Sequence, residues 1–217
     1  MMLHDSELQR KTLEVLSRHH AVITDTHVVF KSGKHGNAYV NKDAIYPHTK
    51  DTSQLCWYLA LKFANENVEV VIAPAVGGVI LSQWVAFHLS QISGKEVLAL
   101  YADKEGEDLF VIKRGYDKLI KGKRVLVIED VVNTGKSVRL VVEAVRKTGG
   151  EVVHVGVLVN RGGVTAQDIG NVPDLFALAD VKLDSYGAGT CPLCHDKVQV
   201  NTDVGKGREF LAGRQPA

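Results

Sequence analysis

The sequence has few cysteines, few aromatic residues and no long apolar run. Three cysteines among 217 residues are too few for the disulfide framework of a secreted domain. Aromatic residues make up 6% of the chain and the formal net charge is +1, which argues against a nucleic-acid or anionic-lipid surface. No apolar run approaches the ~20 residues of a membrane helix. We therefore expect a cytoplasmic protein with no nucleic-acid or membrane partner.

Along most of the chain, short apolar runs typical of strands alternate with segments whose apolar residues have helical spacing. Short apolar runs typical of buried strands occur at residues 70–72, 97–101, 109–113, 125–128, 152–159 and 175–178. Helical spacing occurs at residues 5–19, 52–65, 78–91 and 137–147. Strands alternating with helices predict an α/β fold with a doubly wound, mostly parallel sheet. The length fits a single domain over residues 1–217, with about 1–50 and 185–217 forming a small hood and tail.

Two polar segments lie outside this pattern. Residues 28–39 are predicted to form an exposed loop or hairpin, and residues 185–217 to wrap the surface as a tail. The histidines His19, His20, His27 and His48 show no metal-ligand spacing, so we expect them on the surface. Cys191 and Cys194 form a Cys-x-x-Cys pair beside a histidine, which is an incomplete set for a closed zinc site. Structural packing is the favoured interpretation, and metal or redox use stays open.

The segment at residues 125–137 carries the strongest chemical signal. A predicted buried strand leads to two adjacent acids, Glu129 and Asp130, and then to a short loop that opens a helix. Amides at a helix N-terminus, with the Thr134 and Ser137 hydroxyls, form an anion site. Carboxylates suit sugar hydroxyls, so the segment predicts a site for a sugar phosphate.

A nucleotide P-loop is the competing interpretation, because residues 135–137 read Gly-Lys-Ser. That motif requires a glycine five positions before its second glycine. Asp130 occupies this position. We therefore reject the P-loop.

Residues 129–137 resemble the phosphoribosyl-pyrophosphate motif of the type I phosphoribosyltransferases. Further segments, in the same order along the chain, resemble the orotate phosphoribosyltransferases: 30–35 with 39–41, 101–105, 113–116, 160–163 and 191–194. The resemblance implies transfer of a phosphoribosyl group from phosphoribosyl pyrophosphate to orotate, giving orotidine 5-phosphate and pyrophosphate in pyrimidine biosynthesis. It also implies a homodimer and a requirement for Mg²⁺, which would arrive with the pyrophosphate rather than on protein side chains.

The resemblance also assigns roles to individual residues. Catalytic roles fall on Lys104, Glu129 and Asp130. Contacts with phosphoribosyl pyrophosphate fall on Lys31, Gly77, Gly78, Lys104, Glu129, Asp130, Val131, Val132, Asn133, Thr134, Gly135, Lys136 and Ser137. Contacts with orotate fall on Asn133 and Arg161, since a forked guanidinium is a natural partner for the carboxylate of orotate.

Residues 103–108 resemble the mobile catalytic loop of the family, here rich in acids. Lys104 would neutralise charge on the pyrophosphate, and Lys113 and Arg114 are candidates for additional positive charge. Two alternatives remain open: transfer to a purine or another base, and a regulator that binds phosphoribosyl pyrophosphate without catalysis.

Overall fold

A computed structural model describes residues 4–106, 108–181 and 183–213. The chain forms two compact units. The first comprises Met1–Leu13 and Tyr46–Val181, and the second Glu14–Ile45 and Lys182–Ala217. In chain order the helices and strands are α1 (Asp5–Arg18), β1 (Val22–Ile23), β2 (Val28–Val29), β3 (His35–Gly36), β4 (Tyr39–Val40), α2 (Thr49–Lys62), β5 (Val70–Pro74), α3 (Val79–Ser93), β6 (Leu98–Glu105), β7 (Leu109–Val111), α4 (Tyr116–Ile120), β8 (Arg124–Val132), α5 (Lys136–Lys147), β9 (Glu151–Asn160), β10 (Leu175–Asp180), α6 (Pro192–His195) and α7 (Gly207–Ala212).

A six-stranded sheet in the order β10-β9-β8-β5-β6-β7 dominates the first unit. The first five strands in this order run parallel, and β7 pairs antiparallel with β6. All six apolar runs of the sequence form strands of this sheet. The predicted α/β class with a mostly parallel sheet is confirmed.

Apolar side chains cover both faces of this sheet. Helix α5 buries Val138, Val141, Val142 and Val145, a helical spacing that turns one apolar stripe toward the sheet. The stripe shares a core with alternate residues of the central strands, such as Ile72 and Val127. On the opposite face, Phe63 and Ile128 both lie so close to Gly156 that a Cβ there would approach them to 2.7 Å and 2.9 Å. Because successive side chains of a strand point to opposite faces, alternate residues of each strand pack into two separate apolar layers.

Two strands, β6 and β8, extend four residues beyond the C-terminal ends of the apolar runs that predicted them. Strand β8 continues to Val132, so the acid pair lies within the strand rather than after it. Strand β6 continues to Glu105 and pairs with β7, so most of the predicted loop at residues 103–108 is a β-hairpin. Backbone pairing drives both extensions, and it does not require apolar side chains. Glu107, which we placed in that loop, lies outside the described residues.

The second unit contains two small antiparallel pairs, β1 with β4 and β2 with β3. The prediction that residues 28–39 form an exposed loop or hairpin is correct for the hairpin and for its exposed turn at residues 31–34. It is wrong about exposure for Val28, Val29, Phe30, His35, Gly36 and Ala38, which are buried. The prediction that His27 lies on the surface is also wrong, because it is 1% exposed. The prediction relied on the polarity of neighbouring residues. It failed because residues distant in sequence cover these positions.

The described part of the tail, residues 183–213, has helices α6 and α7 and a buried Cys191. Lys206 N donates to Val29 O at 2.7 Å, and Asn201 N donates to His27 O at 2.8 Å. These bonds join the tail to the β2–β3 hairpin within the same unit. Among the described helices, none combines the length and apolarity needed to cross a membrane.

Candidate active site at the carboxyl edge of the sheet

The order of the strands creates a crevice between β5 and β8. From β5 the chain proceeds to β6 on one side, whereas from β8 it proceeds to β9 and β10 on the other. Adjacent loops diverge at such a switch point, and ligands of open parallel sheets bind there. The loops that follow β5 and β8 contain residues 75–78 and 133–135, which are two of the predicted substrate-binding segments.

The acid pair is nearly buried at the end of β8. Glu129 is 8% exposed and Asp130 is 6% exposed. A Glu129 Oε1 accepts a hydrogen bond from Asp130 N at 3.0 Å, and Asp130 Oδ1 accepts one from Val131 N at 2.6 Å. The strand pleat directs neighbouring side chains to opposite faces, so their adjacency in sequence does not force the two carboxylates together. Each carboxylate is held by backbone amides and can receive hydroxyl donors.

The loop after β8 leaves polar groups exposed at the start of α5. Asn133, Thr134 and Ser137 are exposed, whereas Gly135 is buried. Gly135 has φ +72°, and a Cβ there would lie 2.6 Å from Ile169 Cγ2 and 2.9 Å from a Val164 methyl. Only glycine fits this turn without displacing the core beneath it. The first amides of α5 are thereby placed at the sheet edge, where a helix N-terminus favours a phosphate.

The loop after β5 is joined to the acid pair by a tyrosine that the sequence analysis did not identify. The Tyr46 hydroxyl lies 2.8 Å from Gly77 O and 3.2 Å from Asp130 Oδ2. Gly78, which begins α3, would bring a Cβ to 2.6 Å from Ala73 Cβ, so the backbone turns tightly against β5. The loop also contains a cis peptide bond between Ala75 and Val76. Tyr46 therefore links the loop after β5 to the acid pair within β8.

Arg161 and Asn133 lie on adjoining loops, as predicted. Arg161 N donates to Val132 O at 2.8 Å, and a Cβ on Gly162 would overlap Asn133 O at 1.6 Å. The Asn160 side chain bonds Val164 in both directions, at 3.0 Å each. These contacts fix the loop after β9 against the loop after β8, so the residues predicted to contact the base adjoin those predicted to contact the sugar phosphate.

The β6–β7 hairpin carries several ion pairs. Lys113 pairs with Glu105, and Arg114 Nη2 lies 3.0 Å from Asp103 Oδ2. The suggestion that Lys113 and Arg114 supply extra positive charge is therefore weakened, because both face acids of the same hairpin.

The tip of this hairpin contacts the N-terminus of α5, the helix that follows residues 133–135. Asp108 pairs with Lys136, the first residue of α5. The Lys136 ammonium lowers the pKa of the Asp108 carboxyl. The hairpin that carries Lys104 thereby reaches the 133–137 loop.

Residues 43–187 match the phosphoribosyl transferase domain family. The chain belongs to this family. It is similar to the orotate phosphoribosyltransferase of Pelotomaculum thermopropionicum, with 40% identity over 168 residues that cover 77% of this chain and 83% of the relative. The sequence resemblance is thus confirmed.

Solved structures show the same phosphoribosyltransferase fold. The orotate phosphoribosyltransferase of Mycobacterium tuberculosis H37Rv, in complex with Fe(III) dicitrate, has a TM-score of 0.61 at 22% identity and covers 78% of this chain and 96% of its own. The adenine phosphoribosyltransferase of Saccharomyces cerevisiae has a TM-score of 0.60 at 17% identity, with coverage of 78% and 98%. Because enzymes for a pyrimidine and a purine share the fold, the fold alone does not select the base.

One predicted substrate contact belongs to the other unit. Lys31 is exposed in the turn between β2 and β3, where Gly33 N donates to Phe30 O at 2.9 Å. Its contact with phosphoribosyl pyrophosphate stays a prediction. The other predicted residues lie at or beside the carboxyl edge of the sheet, together with Tyr46 and Asn160. Asn160 lies in the 160–163 segment that the resemblance had marked, although no role was assigned to it, whereas no motif pointed to Tyr46, because its role depends on contacts made only in the folded chain.

Proposed function

We propose that the chain is an orotate phosphoribosyltransferase, which converts phosphoribosyl pyrophosphate and orotate to orotidine 5-phosphate and pyrophosphate. The observation that carries this is the placement of the acid pair, the 133–137 loop and Arg161 on the neighbouring ends of β8 and β9. The membership in the family and the similarity to orotate phosphoribosyltransferases support it. Function in pyrimidine biosynthesis follows from the product.

Each part of the site has a place in the proposed reaction. Glu129 and Asp130 would hold the ribose hydroxyls, and the amides and hydroxyls of residues 133–137 would hold the 5-phosphate. The bond from C1 of the ribose to the pyrophosphate oxygen breaks and its electron pair leaves with the pyrophosphate, while a ring nitrogen of orotate bonds to C1 and gives up its proton to water. Positive charge develops on the ribose and negative charge on the leaving group. Catalysis is therefore positioning and electrostatic stabilisation.

Two segments would receive the departing pyrophosphate. The backbone of Gly77 and Gly78 follows β5 at the crevice and allows close approach of an anion. Lys104, on the hairpin, would neutralise the charge. Arg161 would bind the carboxylate of orotate, and the Asn133 amide would bind a carbonyl of the base.

Mg²⁺ is the cofactor we propose. Mg²⁺ favours one or two carboxylates together with substrate phosphates and water. The carboxylates of Glu129 and Asp130 and the hydroxyls of Thr134 and Ser137 make this edge rich in oxygen and compatible with the ion, but these groups are assigned to the ribose and the 5-phosphate, so Mg²⁺ would arrive with the pyrophosphate. When bound, the ion neutralises charge on the pyrophosphate. We also propose a homodimer in the cytoplasm. The dimer follows from the family resemblance, because the mobile loop that residues 103–108 resemble serves the neighbouring subunit's site in homodimers, and the low cysteine content is consistent with the cytoplasm.

One assay tests the reaction class. Purified protein is mixed with Mg²⁺, phosphoribosyl pyrophosphate and either orotate, uracil, adenine or hypoxanthine, and pyrophosphate release is followed. We expect release with orotate. Release with another base only would support the alternative specificity, and binding of phosphoribosyl pyrophosphate without release for any base would support a regulator.

A paired substitution tests the base assignment. Arg161→Ala removes the proposed carboxylate partner and should lower kcat/KM for orotate about 100-fold, as expected for a charge-assisted, forked contact. Arg139→Ala is the matched control, because Arg139 is exposed on α5 and pairs with Glu143. Unchanged orotate turnover in Arg161→Ala would contradict the assignment.

A further inference from the structure

Four potential metal ligands converge in the second unit. The ligand atoms of His27, His35, Cys191 and Cys194 all lie within 4.8 Å of one another. The first three side chains are buried and Cys194 is partly buried. All four residues lie outside the 43–187 region that matches the phosphoribosyltransferase family, and none belongs to the predicted sugar-phosphate site, so the proposed reaction does not account for them.

The distances between these atoms approach those of a tetrahedral zinc site. His27 Nε2 lies 2.8 Å from His35 Nδ1 and 3.7 Å from each sulfur, and Cys194 Sγ lies 3.3 Å from His35 Nδ1. A zinc ion with Zn–N of about 2.0 Å and Zn–S of about 2.3 Å places its ligands about 3.3 Å (N to N) and about 3.5 Å (N to S) apart. The four measured separations differ from these values by about half an ångström or less.

A hydrogen bond to a backbone carbonyl sets the His27 ring in the tautomer that can bind a metal. His27 Nδ1 lies 2.8 Å from Val198 O, and because a carbonyl can only accept, Nδ1 carries the proton. Nε2 then presents its lone pair to His35 and the two cysteines. A ligating histidine usually donates its second ring nitrogen to a carbonyl or carboxylate in this way.

The backbone holds each part of the cluster in place. His35 exchanges two backbone hydrogen bonds with Tyr186, both 2.8 Å, and its ring packs edge-on to Phe210 at 4.7 Å. Cys191 precedes helix α6 and Cys194 lies within it. Such support from several segments is expected of a site whose ligands are positioned before the metal binds.

The described tail needs such a site. Among residues 183–213, Cys191 is the single buried apolar side chain, so this segment has almost no core of its own. Small units with little apolar burial are commonly stabilised by a structural metal. Cys191 and Cys194 are free thiols, so a disulfide does not supply this stabilisation.

We propose that His27, His35, Cys191 and Cys194 bind one structural Zn²⁺ that joins the β2–β3 hairpin to the tail. Two nitrogen and two sulfur ligands in a compact set favour zinc. Binding releases the two thiol protons to solvent, and two thiolates with Zn²⁺ leave the buried site electrically neutral. Four protein ligands leave no position for water or substrate, which is typical of a structural rather than a catalytic zinc.

Metal content is the first test. Untagged full-length protein, purified without chelator, should contain about one zinc per chain by mass spectrometry of the metal. Cys191→Ser combined with Cys194→Ser should lower this at least about tenfold, since both thiolates are lost. A wild-type chain without zinc whose metal-free form also fails to bind added Zn²⁺ would overturn the proposal, and so would zinc retained by the double variant.

Two controls separate this site from neighbouring residues. His195→Gln alters the histidine next to the pair, which is exposed and bonds Asp196 at 2.8 Å. Cys56→Ala removes the remaining cysteine, which is buried in α2 and whose thiol pKa is raised by burial. Both variants should keep the full zinc content. Loss of zinc in folded His195→Gln would contradict the ligand set.

A spectroscopic test does not depend on variants that fold poorly. Zinc is removed from the wild-type protein with a chelator and replaced by Co²⁺. The expected product shows the strong visible bands of tetrahedral Co²⁺ and thiolate-to-cobalt charge transfer, saturating at about one Co²⁺ per chain. Absence of these bands, or a Cys191–Cys194 disulfide in freshly purified protein, would overturn the proposal. None of these readouts uses catalytic activity, so their failure is distinct from failure of the proposed function.

Discussion

The two units of the chain differ in how their structures are stabilised. In the first unit all five residues of β5 are buried, and apolar layers cover both faces of a six-stranded sheet. In the second, each strand has two residues, and the described tail buries almost no apolar side chain. The first unit has enough apolar surface to stabilise a sheet. In the second unit the buried apolar side chains lie mainly between residues 15 and 45, and the tail is joined to them by backbone hydrogen bonds and by the His27–His35–cysteine cluster.

A core substitution tests the first half of this comparison. Leu126→Ala removes a fully buried side chain from β8 and should lower the free energy of unfolding by about 2–5 kcal/mol. Leu119→Ala, on an α4 residue that is 43% exposed, should cost about 1 kcal/mol or less. Urea unfolding followed by circular dichroism measures both. Leu126→Ala should lower the free energy of unfolding by the same amount with and without chelator. A decrease that depends on chelator would contradict the proposed difference between the two units.

Gly135 shows how the core of the first unit supports its active site. Gly135→Ala forces a side chain into a positive φ and against Ile169 and Val164, so we expect a cost of about 2–4 kcal/mol and weaker binding of phosphoribosyl pyrophosphate. Gly122→Ala has a similar φ of +74° but nothing within 4 Å of the new Cβ, and should cost about 1 kcal/mol. Thermal unfolding and calorimetric binding distinguish them. Equal costs would show that crowding under the loop is unimportant.

The acid pair separates catalysis from metal binding. Asp130→Asn keeps the shape of the side chain but removes the charge proposed to hold a ribose hydroxyl, so kcat/KM should fall about 10- to 100-fold. Asp117→Asn, an exposed change on α4, is the control. Zinc content should be unchanged in both variants. Loss of zinc in Asp130→Asn would contradict the assignment of all four zinc ligands to the second unit.

The contact between Asp108 and Lys136 should have the smallest effect, because both side chains are exposed. Pairing lowers the pKa of Asp108, so its contribution is present above the ordinary pKa of aspartate and is lost as the pH falls through the lower, folded value. A carboxyl NMR titration measures this. Lys136→Met should return the Asp108 pKa toward its ordinary value, and a titration unchanged by this substitution would show that the pair does not form in solution.

The sequence revealed the site best where its residues are neighbours along the chain. Glu129, Asp130 and residues 133–137 follow one apolar strand, so one motif identified them together. Arg161 was assigned by resemblance, and the bond from Arg161 N to Val132 O now gives a physical reason for its position. Tyr46 escaped notice because it lies 84 residues from Asp130, and nothing local distinguishes it from other tyrosines.

The histidines of the proposed zinc site show the same limit more strongly. His27 and Cys191 are 164 residues apart, and the adjacent His195 offered a false partner for the cysteine pair. Sequence spacing identifies metal ligands only when the ligands lie close together along the chain. Here two short segments from opposite ends of the chain supply them, so only half of the set was visible.

The sequence by itself determined the α/β class, the order along the chain of the six sheet strands and of helices α1, α2, α3 and α5, and the strand-to-helix turn proposed to hold the phosphate. These features follow from local periodicity and from residues within a few positions of one another. Only the tertiary structure decided how far β6 and β8 extend, that Tyr46 joins the loop after β5 to the acid pair, and that four distant ligands meet. Such convergence depends on backbone pairing and long-range packing, which a single sequence does not display.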